Sequence, residues 1–376
     1  QTAGNNVARF DHNPTTGESL GLLIEEQRTN IFPYSDLSSG ISAIRVTLNS
    51  NQNIAPDGTN TATKAIASTD NNNHFFSEYP SSITGNTTYT FSVFLKAGEL
   101  EIVNLSIASV GNWVSNVGIR VNLSTGTIIS NSGNGGMIDV GNGWYRVYFS
   151  ATTISSPAGG GNHIFLYDNN DNGTFAGDGY SGVYVWGWQM EQGSFPTSYI
   201  KTTGSQVTRS GDDCEMLNID QDDWLKQGVG TLYGEFSKPY VGQTNGVPSY
   251  ASAFALTNDQ FDTEAIRVYV EQDTTPEVAG NINGTSNYFE RFIDSGSAVS
   301  NTYYKTAIAY ERNNVDGSGN GSNETTDTSA EIPFINRLRI FKRVKYQING
   351  NYGTIKKLSY YPIKLTKNEV IDLTEE

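Results

Sequence analysis

A β-protein that splits glycosidic bonds needs paired carboxylates on one strand face, as an E-x-D-x-E run would supply. The chain contains no such run. Glu264 and Glu271 are spaced so that a continuous strand would point them to opposite faces. Glu369, Asp372 and Glu375 crowd the C-terminal end, where the solvated face of a helix accounts for them. There is no G-x-S-x-G elbow, no phosphate-binding loop and no H-E-x-x-H pair. Of the histidines, His12 and His74 fall in polar surroundings and only His163 lies in a strand-like run, where a structural role is the ordinary one. The chain is therefore read as a non-enzyme, unless carboxylates converge from distant strands.

Two other chemistries have candidates. Asp168-Asn169-Asn170-Asp171-Asn172-Gly173 opens like a calcium loop, D-x-N-x-N-G, but the twelfth position is Gly179 where the full pattern needs Glu. The oxygens that could hold a structural calcium ion are those of Asp168, Asn170, Asn172 and Asp178; the competing reading is a solvated turn. Sugar binding needs aromatic faces with polar groups beside them. In the run from Trp144 to Phe149, Tyr145, Val147 and Phe149 share one face, leaving Trp144, Arg146 and Tyr148 on the other. An arginine between two aromatics suits a carbohydrate platform, although the more ordinary reading is that Trp144 covers a sheet edge with Arg146 stacked on it. Weaker carbohydrate-binding candidates are Tyr304, Tyr310 and Arg312. Trp186 and Trp188 are read as core.

Strands must position all of these. The 376 residues include 21 Tyr and 17 Phe, only 17% are charged, and Gly, Asn, Ser and Thr fill the gaps. That composition belongs to an all-β, turn-rich protein of about two domains. A formal net charge of -15 repels phosphate backbones and argues against nucleic acid. The lone Cys214 permits no internal disulfide, and no apolar run approaches the roughly 18 residues of a membrane span, so no membrane insertion is expected. A chain starting at Gln1 is expected to be part of a longer one.

Asn13-Pro14 and Thr16-Gly17 mark a turn between short apolar runs, so residues 1–34 read as an N-terminal junction segment. Regularly spaced alternating strands through 35–200, among them Tyr89 to Leu95, suggest a jelly roll. Its last strand carries Val183, Val185 and Gly187 on one face and Tyr184, Trp186, Trp188 and Met190 on the other, as for an inner strand covered twice. Residues 201–210 read as a linker, and 211–376 as a second sandwich. Within it Asn313 to Ser329 is expected to be a long mobile or functional loop. Thr366 and Glu369 form a capping box for a short terminal helix.

Several of these stretches carry a resemblance. Ala8-Arg9-Phe10-Asp11, the run Gly21 to Glu26, and Arg28-Thr29-Asn30 resemble a junction, ARFD…GLLIEE-x-RTN, found in bacteriophage tail-fibre and spike proteins. Tyr184 to Arg209 looks like their WG-x-Q-L-E-x-G…PTSYIPT…TR-x-AD hinge, with Met190 at its Leu, Lys201 at its second Pro and Trp188 standing where a small residue is usual. Asp139 to Thr153 is similar to carbohydrate-binding jelly rolls, and Gly353 to Leu373 to concanavalin-like or laminin-G-like sandwiches. The resemblance implies two tandem antiparallel β-sandwiches in a virion appendage assembled in the bacterial cytoplasm, a homotrimer. It also implies adhesion to host-surface glycan without catalysis, with other virion subunits as partners. A structural capsid or tail decoration protein and a polysaccharide depolymerase are the alternatives.

Overall fold

A computed structural model describes residues 7–80, 82–108, 110–238, 251–258, 264–271, 277–283, 299, 301–328, 330–341 and 352–375. The chain is all-β, with one short α-helix and two 3-10 turns among these residues, and its sheets are antiparallel. It forms two compact units: Gln1–Thr2, Pro14–Gly17 and Arg28–Arg209, and Ala3–Asn13, Glu18–Gln27 and Ser210–Glu376.

The first unit is a sandwich of two six-stranded sheets. The front sheet runs Thr127–Asn131, Gly118–Asn122, Ile102–Ala108, Gly161–Tyr167, His74–Glu78, Ser42–Ile44. The back sheet runs Asn134–Asp139, Trp144–Thr152, Thr88–Ala97, Gly182–Gln192, Ala62–Ala67, Val46–Asn53. Alternation sends Val103, Leu105, Ile164 and Leu166 from the front, and Phe91, Val93, Leu95, Val147 and Phe149 from the back, into one core. Burying one such side chain stabilises the unit by about 1.5–3 kcal/mol.

The Gly182–Gln192 strand is an inner strand covered on both faces, but its two faces differ from the simple alternation. Pairing with Thr88–Ala97 shifts register between Trp186 and Gln189, where Gly187 takes a left-handed φ of 65°. This bulge inserts one residue and reverses the phase. Trp188 and Met190 therefore join Val183 and Val185 in the central core, while Trp186 stays on the outer face.

The second unit pairs a seven-stranded sheet with a five-stranded one. The larger runs Phe10–His12, Ser19–Ile24, Gly353–Tyr361, Val229–Ser237, Tyr303–Glu311, Asn314–Gly319, Ser322–Asp327. The smaller runs Cys214–Leu217, Arg337–Ile340, Ala251–Thr257, Ala265–Glu271, Glu277–Asn283. Glu264 and Glu271, noted above, bracket the Ala265–Glu271 strand. The helix Lys367–Glu375 forms where the capping box placed it. The Thr366 hydroxyl and amide donate to Glu369, and Val370 packs with Tyr233, Ala307 and Ala309. The stretch expected to be a loop, 313–329, instead holds the hairpin Asn314–Gly319 and Ser322–Asp327. Its turn is Asn320-Gly321, both at positive φ, which is the type I′ connection that Asn-Gly favours.

Residues 7–34 do not form a segment of their own. The Phe10–His12 and Ser19–Ile24 hairpin completes the second unit's large sheet, Leu22 pairing Ile355. There Arg9 donates to Glu25 at 2.6 Å and also pairs with Asp212, while Glu25 N–H donates to Asp212 at 2.7 Å. Arg28–Asn30 belongs to the first unit, where it pairs with Val207–Arg209. Part of the stretch read as a linker is thus a strand. In sequence the first sandwich is inserted into the second, not placed ahead of it in tandem.

Candidate functional site

The front sheet's outward side chains make the site. Since Ile164 and Leu166 point into the core, His163, Phe165 and Tyr167 point out. Register places Ile44, Phe75, Phe165, Asn104 and Arg120 in one row across five strands, and Ser42, Ser77, His163 and Ser106 in the next. Phe75 and Phe165 lie 4.9 Å apart at 33°, and His163 meets Phe75 edge-on at 5.1 Å. Tyr79, 44% exposed, stands at 87° to His163 with centroids 6.4 Å apart. Phe75, His163, Phe165 and Tyr167 are each half-buried, so their rings keep a surface open to water.

Charge on this face is balanced. The Arg120 guanidinium lies 5.2 Å over the Tyr167 ring, and its Nε is 3.3 Å from Asp171 Oδ1. Burial pushes the His163 imidazole below its usual range, so it is neutral at pH 7. Its Nδ1 is shielded from water and has no hydrogen-bond partner among the described residues. Half-exposed rings interleaved with Asn104, Ser106 and a ring-stacked arginine can stack on C–H faces and donate to hydroxyls.

The loop read as a calcium opening builds this edge. Asp168 Oδ1 accepts the N–H groups of Asn170 at 3.0 Å and Asn172 at 2.8 Å, and its Oδ2 accepts Asn172 Nδ2 at 2.9 Å. Burial pushes the Asp168 carboxyl up, but the donations from Asn172 and Asn170 outweigh it and hold the group below the usual carboxylate range. The turn so formed carries Asp171 to Arg120. Asp178 belongs to a separate turn. The Ser181 hydroxyl and amide and the Tyr180 amide bind its carboxylate and hold it at about 2. The four candidate ligands thus fall in two separate turns, Asp168, Asn170 and Asn172 in one and Asp178 in the other, with both carboxylates accepting local donors. Among the described residues no three His, Cys, Asp or Glu side chains gather as a metal would need.

The expected platform lies on the other sheet and is covered. Trp144 is 2% exposed, with Nε1 donating to the Ile54 carbonyl at 3.0 Å. Arg146 is buried too, donating to the Thr197 carbonyl at 2.5 Å and Ser92 Oγ at 2.8 Å, its guanidinium 5.2 Å over Phe94. Tyr148 is half-buried. The cover is the segment after Gln192. Glu191 accepts the Thr197 amide at 2.9 Å and hydroxyl at 2.7 Å, Gln189 accepts the Ile200 amide at 2.7 Å, and Tyr199 packs 4.5 Å from Trp186. These are the residues of the WG-x-Q-x-E…PTSYI stretch, whose work here is to close that face. Trp144 and Arg146, so enclosed, cannot serve as a platform, and Tyr148 alone stays part-open.

Tyr304 and Tyr310 are likewise core residues of the second unit, and Arg312 is exposed in the turn that follows. They form no joint site. The front face was visible in sequence as aromatics at 163, 165 and 167 opposite aliphatics at 164 and 166. Both sheets showed such patterns, and alternation does not say which face a later segment covers.

The class these observations define is an all-β protein built of two antiparallel sandwiches. No family model matches the chain, and no curated protein matches it. Among solved structures, a native heptameric SAP-like pentraxin from Limulus polyphemus aligns at TM-score 0.29 and 14% identity, covering 43% of this chain and 80% of the pentraxin. Domains LG4-5 of the mouse laminin alpha1 chain align at TM-score 0.25 and 8% identity, covering 78% of this chain and 88% of that one. Such loose superpositions carry no argument, and the fold class rests on the chain's own sheets.

Proposed function

We propose that this chain is a non-catalytic adhesion protein that binds glycan through the outer face of the front sheet. The observation that carries the reading is the cluster of Phe75, Tyr79, His163 and Phe165, each ring part-open and flanked by short polar side chains. Stacking against a sugar suits such rings, and truncating one removes contact area without opening the central core. The resemblance of residues 8–30 and 184–209 to phage tail-fibre and spike junctions supports a place in a virion appendage, with host-surface glycan as ligand and a homotrimer as the assembled form. A glycan array probed with the full chain and with Phe165→Ala tests the reading. Binding by the parent and at least tenfold weaker binding by the variant, with an unchanged melting temperature, supports it. Equal binding by both sinks the assignment to this face, and release of new reducing ends sinks the non-catalytic part.

A second reading has one observation in its favour. The matched motif residues Arg9, Glu25, Gln189 and Glu191 all act in packing, as they would in a structural virion protein. In that case the aromatic face docks another virion subunit, and the array stays silent.

A further inference from the structure

Resting on the glycan-binding reading, we infer that the front face selects neutral glycans over polyanionic ones, the Arg120–Asp171 pair contacting vicinal hydroxyls and not a sugar carboxylate. Arg120 is the one cation in the rows that form the face. It is held in place twice, by the Tyr167 ring below it and by Asp171 beside its Nε. Neither terminal nitrogen donates to another described residue, so the planar fork at its end is free for a ligand. Its charge is matched by Asp171, whose side chain is 37% exposed against 27% for Arg120. A guanidinium beside a carboxylate offers donors and an acceptor within one small patch, the complement of adjacent hydroxyl groups, each of which both donates and accepts.

A sugar carboxylate meets the opposite conditions. It would compete with Asp171 for the same guanidinium and bring a second negative charge within a few ångströms of the first. His163 adds no positive charge at neutral pH. The chain as a whole carries a net charge of -15, which disfavours the approach of a polyanion, an effect screened beyond a Debye length of about 8 Å at physiological salt. The spacing also suits a short neutral oligosaccharide. Arg120 and Phe165 are two strands apart, about 10 Å, with Asn104 between them in the same row. One ring stacked on Phe165 thus leaves the next within reach of Asn104 and Arg120.

The test is equilibrium binding of the full chain to neutral polysaccharides (a mannan, a galactan and a β-glucan) and to alginate and polygalacturonate, at about 0.05 M and about 0.5 M salt. Binding to a neutral polymer that is insensitive to salt is expected. Arg120→Gln and Arg120→Lys should both weaken it about tenfold or more, because the lysine keeps the charge but loses the fork. Asp171→Asn should leave Arg120 unmatched and let the chain take up alginate at low salt only; asparagine tolerates the left-handed φ of 66° found at that position. Tighter parent binding to the polyanions, lost in Phe165→Ala, would overturn the neutral selectivity and leave the glycan reading standing. So would neutral binding that Phe165→Ala abolishes and both Arg120 variants leave intact. Binding to neither class overturns the glycan reading, and the selectivity with it.

Discussion

Replacing Glu78 by glutamine should flatten the pH dependence of the first unit's stability. Glu78 ends the His74–Glu78 strand, is 1% exposed, and lies opposite Asn162 in register. One carboxyl oxygen accepts the Tyr34 amide at 3.3 Å; the other has no partner among the described residues. Burial, aided by the nearby Asp36, pushes its pKa from 4.5 up to about 8. The folded unit therefore keeps this proton between pH 4.5 and 8, while the unfolded chain releases it. A group raised in the folded state contributes its full stability below its unfolded pKa, and that contribution is lost as pH rises towards 8. A shift of this size corresponds to about 5 kcal/mol across the window. Glutamine keeps the shape and carries no proton to lose. Glu78→Gln should then match the parent near pH 4.5 and exceed it by up to roughly 10–20 °C in melting temperature near pH 8.5. Comparing variant with parent cancels the other titrating groups, which are common to both. Tryptophan fluorescence is the natural readout, because Trp113, Trp144, Trp186 and Trp188 all lie in the first unit and only Trp224 in the second. Melting curves whose difference stays constant from pH 4.5 to 9 would refute the buried neutral carboxyl.

Trp144→Ala should cost the first unit about 3–5 kcal/mol through the lost contacts and cavity, yet leave glycan affinity of the folded protein unchanged. Loss of binding without loss of stability in a melting and binding series would restore the back sheet as the platform. Arg9→Ala leaves Glu25 and Asp212 without their shared cation, and denaturant titration of the second unit should show about 3–5 kcal/mol lost; a change under about 1 kcal/mol would place the cluster in a far more hydrated setting. Limited proteolysis in the exposed bend 203–206 should cut the chain without separating the pieces, because Glu18–Gln27 is upstream of the cut and belongs to the second unit. Size exclusion should show one species until denaturant is added, whereas two species under native conditions would contradict the inserted arrangement.

The all-β class was legible because period-2 alternation and turn residues are local. A strand such as Tyr89 to Leu95 shows in its own seven positions which side chains enter the central core, although both its faces are buried, and Thr366 with Glu369 announces the helix within four residues. Local signals also misled where one residue altered the geometry. Gly187 admits a bulge that reverses the phase of Trp188, and Asn320-Gly321 turns a supposed loop into a hairpin. What alternation cannot encode is the cover on each face. Trp144 and Arg146 carry the composition of a sugar platform, but their exposure depends on distant segments: Ile54 and Ala55, about ninety residues earlier, for Trp144, and Thr197, some fifty residues later and held down by Glu191, for Arg146. The front face reads less like a platform in sequence and is the one left part-open. Nor could sequence order place the N-terminal hairpin, since Leu22 finds its strand partner at Ile355 and Arg9 its acid at Asp212. Each of these outcomes joins residues far apart in the chain. A linear pattern determines which side chains share a face; only the closed tertiary structure determines what lies against it.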